Sequence, residues 1–317
     1  MRKSIFLGIF LVNIHLLPAQ KLVPVDFSFR SIVADSTDSL NSSNKMLSNV
    51  VTEVILQTDQ AVWLGTGLGV SVIRDSITVE TLPSSPELIE GSSDTLLPEG
   101  GISAMAVSGQ GNIMLIAVAG SENDIPIGKG LAWTFEADSS VINWTYFDQP
   151  IDGIVDTTQP WAGVGNFKGL PITVPQANVT YDIAFSDEYA WIASWAGGLR
   201  RMKSPADLFW ERVPLPMDDQ FELLTCEKFD SNGDSVYTFK KTEINSDGSL
   251  YLRDYELNPR DPIDGGNHNH KTFSVLVYGD TIWVGTANGI NRGIINPSRY
   301  SCINWEHYSY PTHGLSG

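Results

Sequence analysis

The chain has 317 residues, 42% of them hydrophobic and only 18% charged, which is enough to build a sizeable core and too apolar for a disordered polymer. Its formal charge of −17 argues against nucleic acid and anionic lipid surfaces as partners, because both need clustered Lys and Arg. No apolar run reaches the roughly 18 residues of a spanning helix, and 9 Trp, 28 Gly and 17 Pro point to strands and turns.

In chain order, Arg2 and Lys3 precede an apolar stretch over residues 5–17, followed by Pro18-Ala19-Gln20. A basic start, a short apolar core and a small residue at the end read as a secretory signal over 1–19, cleaved after Ala19. Residues 20–45 form a lead-in, and residues 46–317 carry the repeats described next. Export agrees with the thiol count: Cys226 and Cys302 are the two cysteines, too few for a disulfide-stapled scaffold or a four-cysteine zinc site. Whether they pair depends on a Cα separation that spacing alone leaves open.

The phrase Ala61-Val62-Trp63-Leu64-Gly65-Thr66-Gly67-Leu68-Gly69-Val70 is echoed by Thr281-Ile282-Trp283-Val284-Gly285-Thr286-Ala287-Asn288-Gly289-Ile290. A looser copy runs from Ala190 through Trp191, Trp195, Gly197 and Gly198 to Leu199. Residues 102–107 and 113–118, joined by Gly109-Gln110-Gly111-Asn112, form a copy that lacks the Trp. An apolar segment and a turn precede each copy. A further strand-like segment follows each, with an aromatic such as Trp144, Trp210 or Trp305 in three of them. Each unit therefore reads as a four-stranded antiparallel meander.

Val62-Trp63-Leu64 and Ile282-Trp283-Val284 show no polar alternation, so both faces of their sheets need cover. Radial stacking of like sheets supplies it, and the expected fold is an all-β β-propeller with four clear blades. Trp63, Trp191 and Trp283 are expected at equivalent second-strand positions. Gly65, Thr66, Gly69, Gly197, Gly285, Thr286 and Gly289 are expected to be structural parts of the repeat. Residues 221–257 leave two alternatives open, an unmarked fifth blade or a decorated loop.

The Trp-[Leu/Val]-Gly-Thr-x-x-Gly-[Val/Ile] units resemble the propeller repeats of the two-component-regulator type. That family occurs in exported bacterial proteins, including the sensor halves of hybrid histidine kinases and a surface component of the type IX secretion system. The resemblance covers residues 51–317 and implies a propeller in the periplasm, at the cell surface or outside the cell. Its matched residues are structural, so it implies no particular activity. His313-Gly314-Leu315-Ser316-Gly317 is similar to the lead-in Met46-Leu47-Ser48-Asn49, so the chain reads as a propeller truncated where another blade is expected, with an open or poorly latched ring.

Chemistry is sparsely marked. His268-Asn269-His270 would place two imidazoles on one side of an extended strand and is the best metal candidate, though a polar lead-in to the next strand is the plainer reading. Asp230-Ser231-Asn232-Gly233-Asp234 begins like a calcium loop, but Ser235 and Lys241 stand where its Gly and bidentate Glu belong. Asp218-Asp219 with Glu222 could hold Ca²⁺, yet acidic loops on an acidic chain are usually solvated. No cofactor, metal or catalytic set is assigned.

Three insertions, at 121–130, 149–177 and 217–271, fall on one rim of the expected disc, and insertions gathered on one face often mark a binding face. Trp161, Trp195, Asn288, His268 and His270 are the candidate rim residues. Aromatics with an amide and imidazoles suit a neutral polar ligand such as a glycan, or a protein partner. The leading expectation is an exported, non-enzymatic binding or scaffold module. The alternatives are a ligand-sensing ectodomain of a hybrid two-component sensor and a propeller lyase or hydrolase.

Overall fold

The computed structural model describes residues 46–58, 61–74, 78–84, 97–135, 137, 144–151, 158–161, 165–168, 175, 177–203, 209–216, 218, 220–225, 234–238, 242–244, 250–252, 268–310, 313 and 314. The signal at 1–19, the lead-in at 20–45 and residues 315–317 lie outside them. Among the described residues there is no α-helix, and no helix is long and apolar enough to cross a membrane.

Four antiparallel meanders account for most of the described residues. The first consists of β1 (Val51–Thr58), β2 (Ala61–Thr66), β3 (Gly69–Arg74) and β4 (Thr78–Pro83). The second comprises β5 (Gly101–Val107), β6 (Met114–Glu122), β7 (Ile125–Thr134) and β8 (Thr145–Phe147). After β9 (Thr158–Trp161) and β10 (Gly165–Lys168), the third meander runs through β11 (Thr180–Phe185), β12 (Ala190–Ser194), β13 (Gly198–Met202) and β14 (Glu211–Arg212). Four more short strands precede the fourth: β15 (Glu222–Leu224), β16 (Asp234–Thr238), β17 (Thr242–Ile244) and β18 (Leu250–Leu252). The fourth meander is then β19 (Thr272–Tyr278), β20 (Thr281–Thr286), β21 (Gly289–Ile295) and β22 (Ile303–Tyr308). Trp63, Trp191 and Trp283 lie in the second strands β2, β12 and β20, as the repeat requires.

The sheets stack through their first strands, β1 against β5, β5 against β11 and β11 against β19. Each junction is centred on a buried apolar cluster. Trp63 packs with Ile102 and Met114 between the first two sheets, Leu131 with Ile183 and Ile192 between the next two, and Trp191 with Ile282 and Val284 between the last two. Four-stranded blades stacked radially define a β-propeller. All four first strands carry an irregularity at the same place, between Val51 and Glu53, Ile102 and Ala104, Thr180 and Asp182, and Thr272 and Ser274. Such bulges sharpen the local twist.

The Thr-x-x-Gly link is built the same way twice. The Thr66 hydroxyl accepts the Leu68 N–H and donates to the Gly69 carbonyl, and Thr286 does the same with Asn288 and Gly289. Gly289 has φ +119°, and a Cβ there would lie 2.1 Å from the Tyr308 carbonyl oxygen. Gly65 is a close-approach site, where a Cβ would sit 2.8 Å from the Ile102 side chain of the next blade. At Gly285, a Cβ would meet the Ser274 hydroxyl at 2.4 Å.

The third copy departs from the expected alignment. Its hairpin holds one more residue, so Gly198 pairs with Ser194 as Gly69 pairs with Thr66. Gly198, at φ +65°, therefore takes the place assigned to Gly197, while Gly197 leaves room for the Asn178 side chain, whose Oδ1 lies 2.5 Å from its Cβ position. The expansion at 121–130 is a prolongation of β6 and β7, turned by Asn123 and Asp124 at φ 50° and 62°, not a loose loop.

The described strands within residues 221–257 do not pair with one another as a fifth blade. β15 pairs with β22 as an added outer strand of the fourth blade, β16 pairs in parallel with β10, and β17 with β18 makes a separate hairpin. An uncovered edge strand is a pairing hazard, and β15 covers that of β22. Cys302 is disulfide-bonded; Cys226 lies outside the described residues.

Candidate functional site

The link into β19 forms a rim between the third and fourth blades. His268–His270 is a 3₁₀ turn rather than an extended segment, and the reason is Asp218. Its carboxylate accepts the N–H groups of His268 (3.0 Å) and Asn269 (2.7 Å), holding the turn closed. The two imidazoles then serve different ends. The His270 Nε2–H donates to the Leu215 carbonyl at 2.8 Å in a fully buried setting. Burial pushes its pKa down to about 3, the Arg212 charge adds to this, and the Leu215 hydrogen bond opposes it. The half-buried His268 lies at the surface end of the turn.

Buried amides hold the rim to the last blade. Asn269 and Asn291 exchange side-chain hydrogen bonds at 2.9 Å, and Asn269 also accepts from the Thr286 hydroxyl at 2.8 Å. The His307 Nδ1–H donates to Asn291 Oδ1 at 3.0 Å, which leaves Nε2 as the acceptor facing Asn288 Nδ2 at 3.4 Å. Burial lowers the His307 pKa; Asp218 opposes the shift and His313 reinforces it. Asn288 also donates to the Asp218 carbonyl at 3.4 Å.

Four of the five sequence-nominated rim residues therefore gather here. Asp218 joins His268 to Asn288, and Lys271, next to His270, sets its ammonium 5.2 Å from the Trp195 ring. Trp195 is not an exposed stacking platform. It is buried at 4.9 Å from Phe273, so it fills the seam between blades. Trp161 ends β9 opposite Gly165; its side chain lies outside the described residues. The polar surface left for a ligand consists of His268, Asn288 and Asp218, all half-buried.

The His268/His270 metal geometry fails because a 3₁₀ turn sends residues i and i+2 in different directions. Among the described residues, no group of three or more His, Cys, Asp or Glu could hold a metal ion. Asp218 already spends both carboxylate oxygens on the turn. Asp219 and the 230–233 part of the calcium-like loop lie outside the described residues.

Two carboxylates at the first-strand bulges were not nominated by sequence. Asp182 accepts the Val275 N–H of the next blade and its neighbour Ile183 N–H, both at 2.8 Å. Burial raises its pKa against those two bonds. Burial also raises that of Glu53, with the charge of Asp182 as the second cause. Counting back from Trp63 and Trp191 would have found them, but a bulge position has no local sequence mark.

No family model and no curated protein matches the chain. Solved structures do resemble it. The extracellular domain of a hybrid two-component system from B. thetaiotaomicron aligns over 85% of this chain and 35% of its own at 15% identity and a TM-score of 0.37. An ancestral GH74 enzyme aligns over 83% and 41% at 11% identity and a TM-score of 0.36. The WD40 β-propeller domain of Doa1 aligns over 85% and 72% at 11% identity and a TM-score of 0.31. The chain thus spans about a third of the sensor domain and well under half of the GH74 enzyme. Its class, a β-propeller, rests on its own blades.

Proposed function

We propose that this chain is an exported, non-enzymatic β-propeller that acts as a binding or scaffold module, with recognition at the rim built by its inter-blade links. One observation carries the reading. The two longest links pair with each other in parallel, Asn166 with Asp234 and Lys168 with Thr238, and make a sheet that belongs to no blade. That sheet lies against β14 of the third blade, and the link that contributes β16 continues into the His268–His270 turn. Structure added outside the blade plan is what a recognition surface requires. A signal-like start and a disulfide agree with an oxidising compartment.

His268 and Asn288 are half-buried polar side chains at this rim, and the ligand class they favour is a neutral glycan or a polar protein loop. The test is a glycan array followed by calorimetry on the purified chain. Binding of a neutral saccharide that weakens about tenfold or more in Trp161→Ala and in His268→Ala, in keeping with a hot-spot loss of roughly 1–3 kcal/mol, supports the rim. Turnover of the bound glycan that is lost in Glu53→Gln would make the chain an enzyme and overturn the non-enzymatic reading.

A further inference from the structure

The outermost link of the buried amide network determines what the rim can offer a ligand. Asn291 fixes the ring of His307. Its Nδ2 is committed to Asn269 Oδ1, so the atom it turns to the ring is its acceptor Oδ1, and ring Nδ1 carries the proton. A neutral imidazole has one N–H, so Nε2 is bare and can only accept. Asn288, in the turn between β20 and β21, meets that nitrogen with Nδ2 at 3.4 Å. The same Nδ2 donates to the Asp218 carbonyl, also at 3.4 Å. A backbone carbonyl is always an acceptor, so both inner neighbours demand the NH2 end of the amide. Asn288 Oδ1 is left to the outside: no donor among the described residues reaches it, and it is not a buried atom.

We infer that His307 is a positioning residue that sets the hydrogen-bonding sense of the rim: its neutral ring turns the Asn288 carbonyl oxygen toward a saccharide hydroxyl, and its protonation withdraws that acceptor. With a proton on Nε2, the ring meets the Asn288 NH2 donor to donor. Turning the amide over would serve the ring with Oδ1, but it would set that oxygen against the Asp218 carbonyl and present NH2 to the ligand. One amide end cannot serve an N–H and a carbonyl together. This positioning deepens the reading of the rim as a recognition surface and rests on that reading only for its ligand.

The groups around the ring fix the direction of the pH effect. Burial holds its pKa below the usual 6.5, Asp218 opposes the shift and His313 reinforces it. Glu222, Arg292 and Glu306 hold the alternate positions of β15, β21 and β22, and so turn to the other face of the sheet. The ring is therefore neutral at neutral pH, where the acceptor is presented, and the acceptor is lost only on acidification.

Nitrogen-15 spectra of the histidine rings and side-chain amides of the unliganded chain test this, recorded as the pH falls from about 8 toward about 4. The expected His307 ring carries its proton on Nδ1 at neutral pH. The Asn288 NH2 resonances should move with the His307 midpoint, below 6.5, and not with the titrations of His268 or His313. In His307→Gln, which cannot titrate and can face Asn288 with its own amide oxygen, they should stay in place. A His307 ring protonated on Nε2 at neutral pH overturns the inference, and so does an Asn288 amide that ignores the His307 titration. Calorimetry with mannohexaose and cellohexaose gives the functional readout. Affinity should fall about fivefold when the ring is protonated, the weight of one neutral hydrogen bond, and His307→Gln should bind as the unaltered chain does at neutral pH and lose that dependence. An unchanged pH dependence in His307→Gln overturns the gate. If neither saccharide binds while the Asn288 amide still follows His307, the positioning stands and the saccharide reading of the rim fails.

Discussion

The buried His270 imidazole couples folding to acid. Its pKa falls from 6.5 to about 3 on folding, chiefly through burial, so between those values the unfolded chain binds a proton that the folded chain refuses. Stability from this residue is complete above pH 6.5 and is lost as the pH falls toward 3, by an amount on the order of several kcal/mol. Thermal melts of His270→Gln, which keeps a donor for the Leu215 carbonyl, should show a flatter loss of melting temperature over that window. Glu53 runs the other way. Its raised pKa means that the folded chain holds its proton longer, so its contribution improves as the pH drops from neutral through the raised value toward the usual carboxylate range. Glu53→Gln should raise the melting temperature at pH 7 and confer no advantage near pH 4. At Gly289, alanine meets both a positive φ and the Tyr308 carbonyl, and a loss of at least about 1 kcal/mol is expected in denaturant titration.

Between elements, the same Trp carries different weight in different blades. Trp191 is sealed between the third and fourth sheets, so Trp191→Ala should cost roughly 3–5 kcal/mol in chemical denaturation. Trp283 occupies the same second-strand position but is 38% exposed, so Trp283→Ala should cost less than about 1 kcal/mol. The strands around these Trp residues are legible in sequence because unbroken apolar triplets need cover on both faces. The Thr-x-x-Gly link also names its own turn. Less is legible where pairing is distant or a single residue is gained. The extra residue between Ser194 and Gly198 moved the turn glycine by one. The parallel pairing of β10 with β16 joins two four- and five-residue strands from different links, and no local pattern announces it. His268-Asn269-His270 has the composition of an extended segment and becomes a 3₁₀ turn only because Asp218, from fifty residues away, caps it. The grouping of Asn288 with the His turn was legible from the repeat and the link order. The burial of Trp195 was not, because it depends on Phe273 across the blade seam.

For the whole molecule, the four blades stack through their first strands, so each interior junction is shared between neighbouring sheets. The fourth blade has a further fastening in β15 and the disulfide at Cys302. Cys302→Ser should lower stability by about 2–4 kcal/mol.

The position of β15 also fixes an order of events. Thr225 and Ile303 bond to each other across 78 residues of sequence, so β15 is synthesised before β19, β20 and β21, yet its partner β22 comes after all of them. A chain that folds as it emerges carries β15 unpaired through the making of almost the entire last blade, and pairing at so long a range is slow. Through that interval the edge of β15 is a template for any other strand it meets, so the last blade is completed by a late, long-range pairing rather than by the hairpins that close the other three.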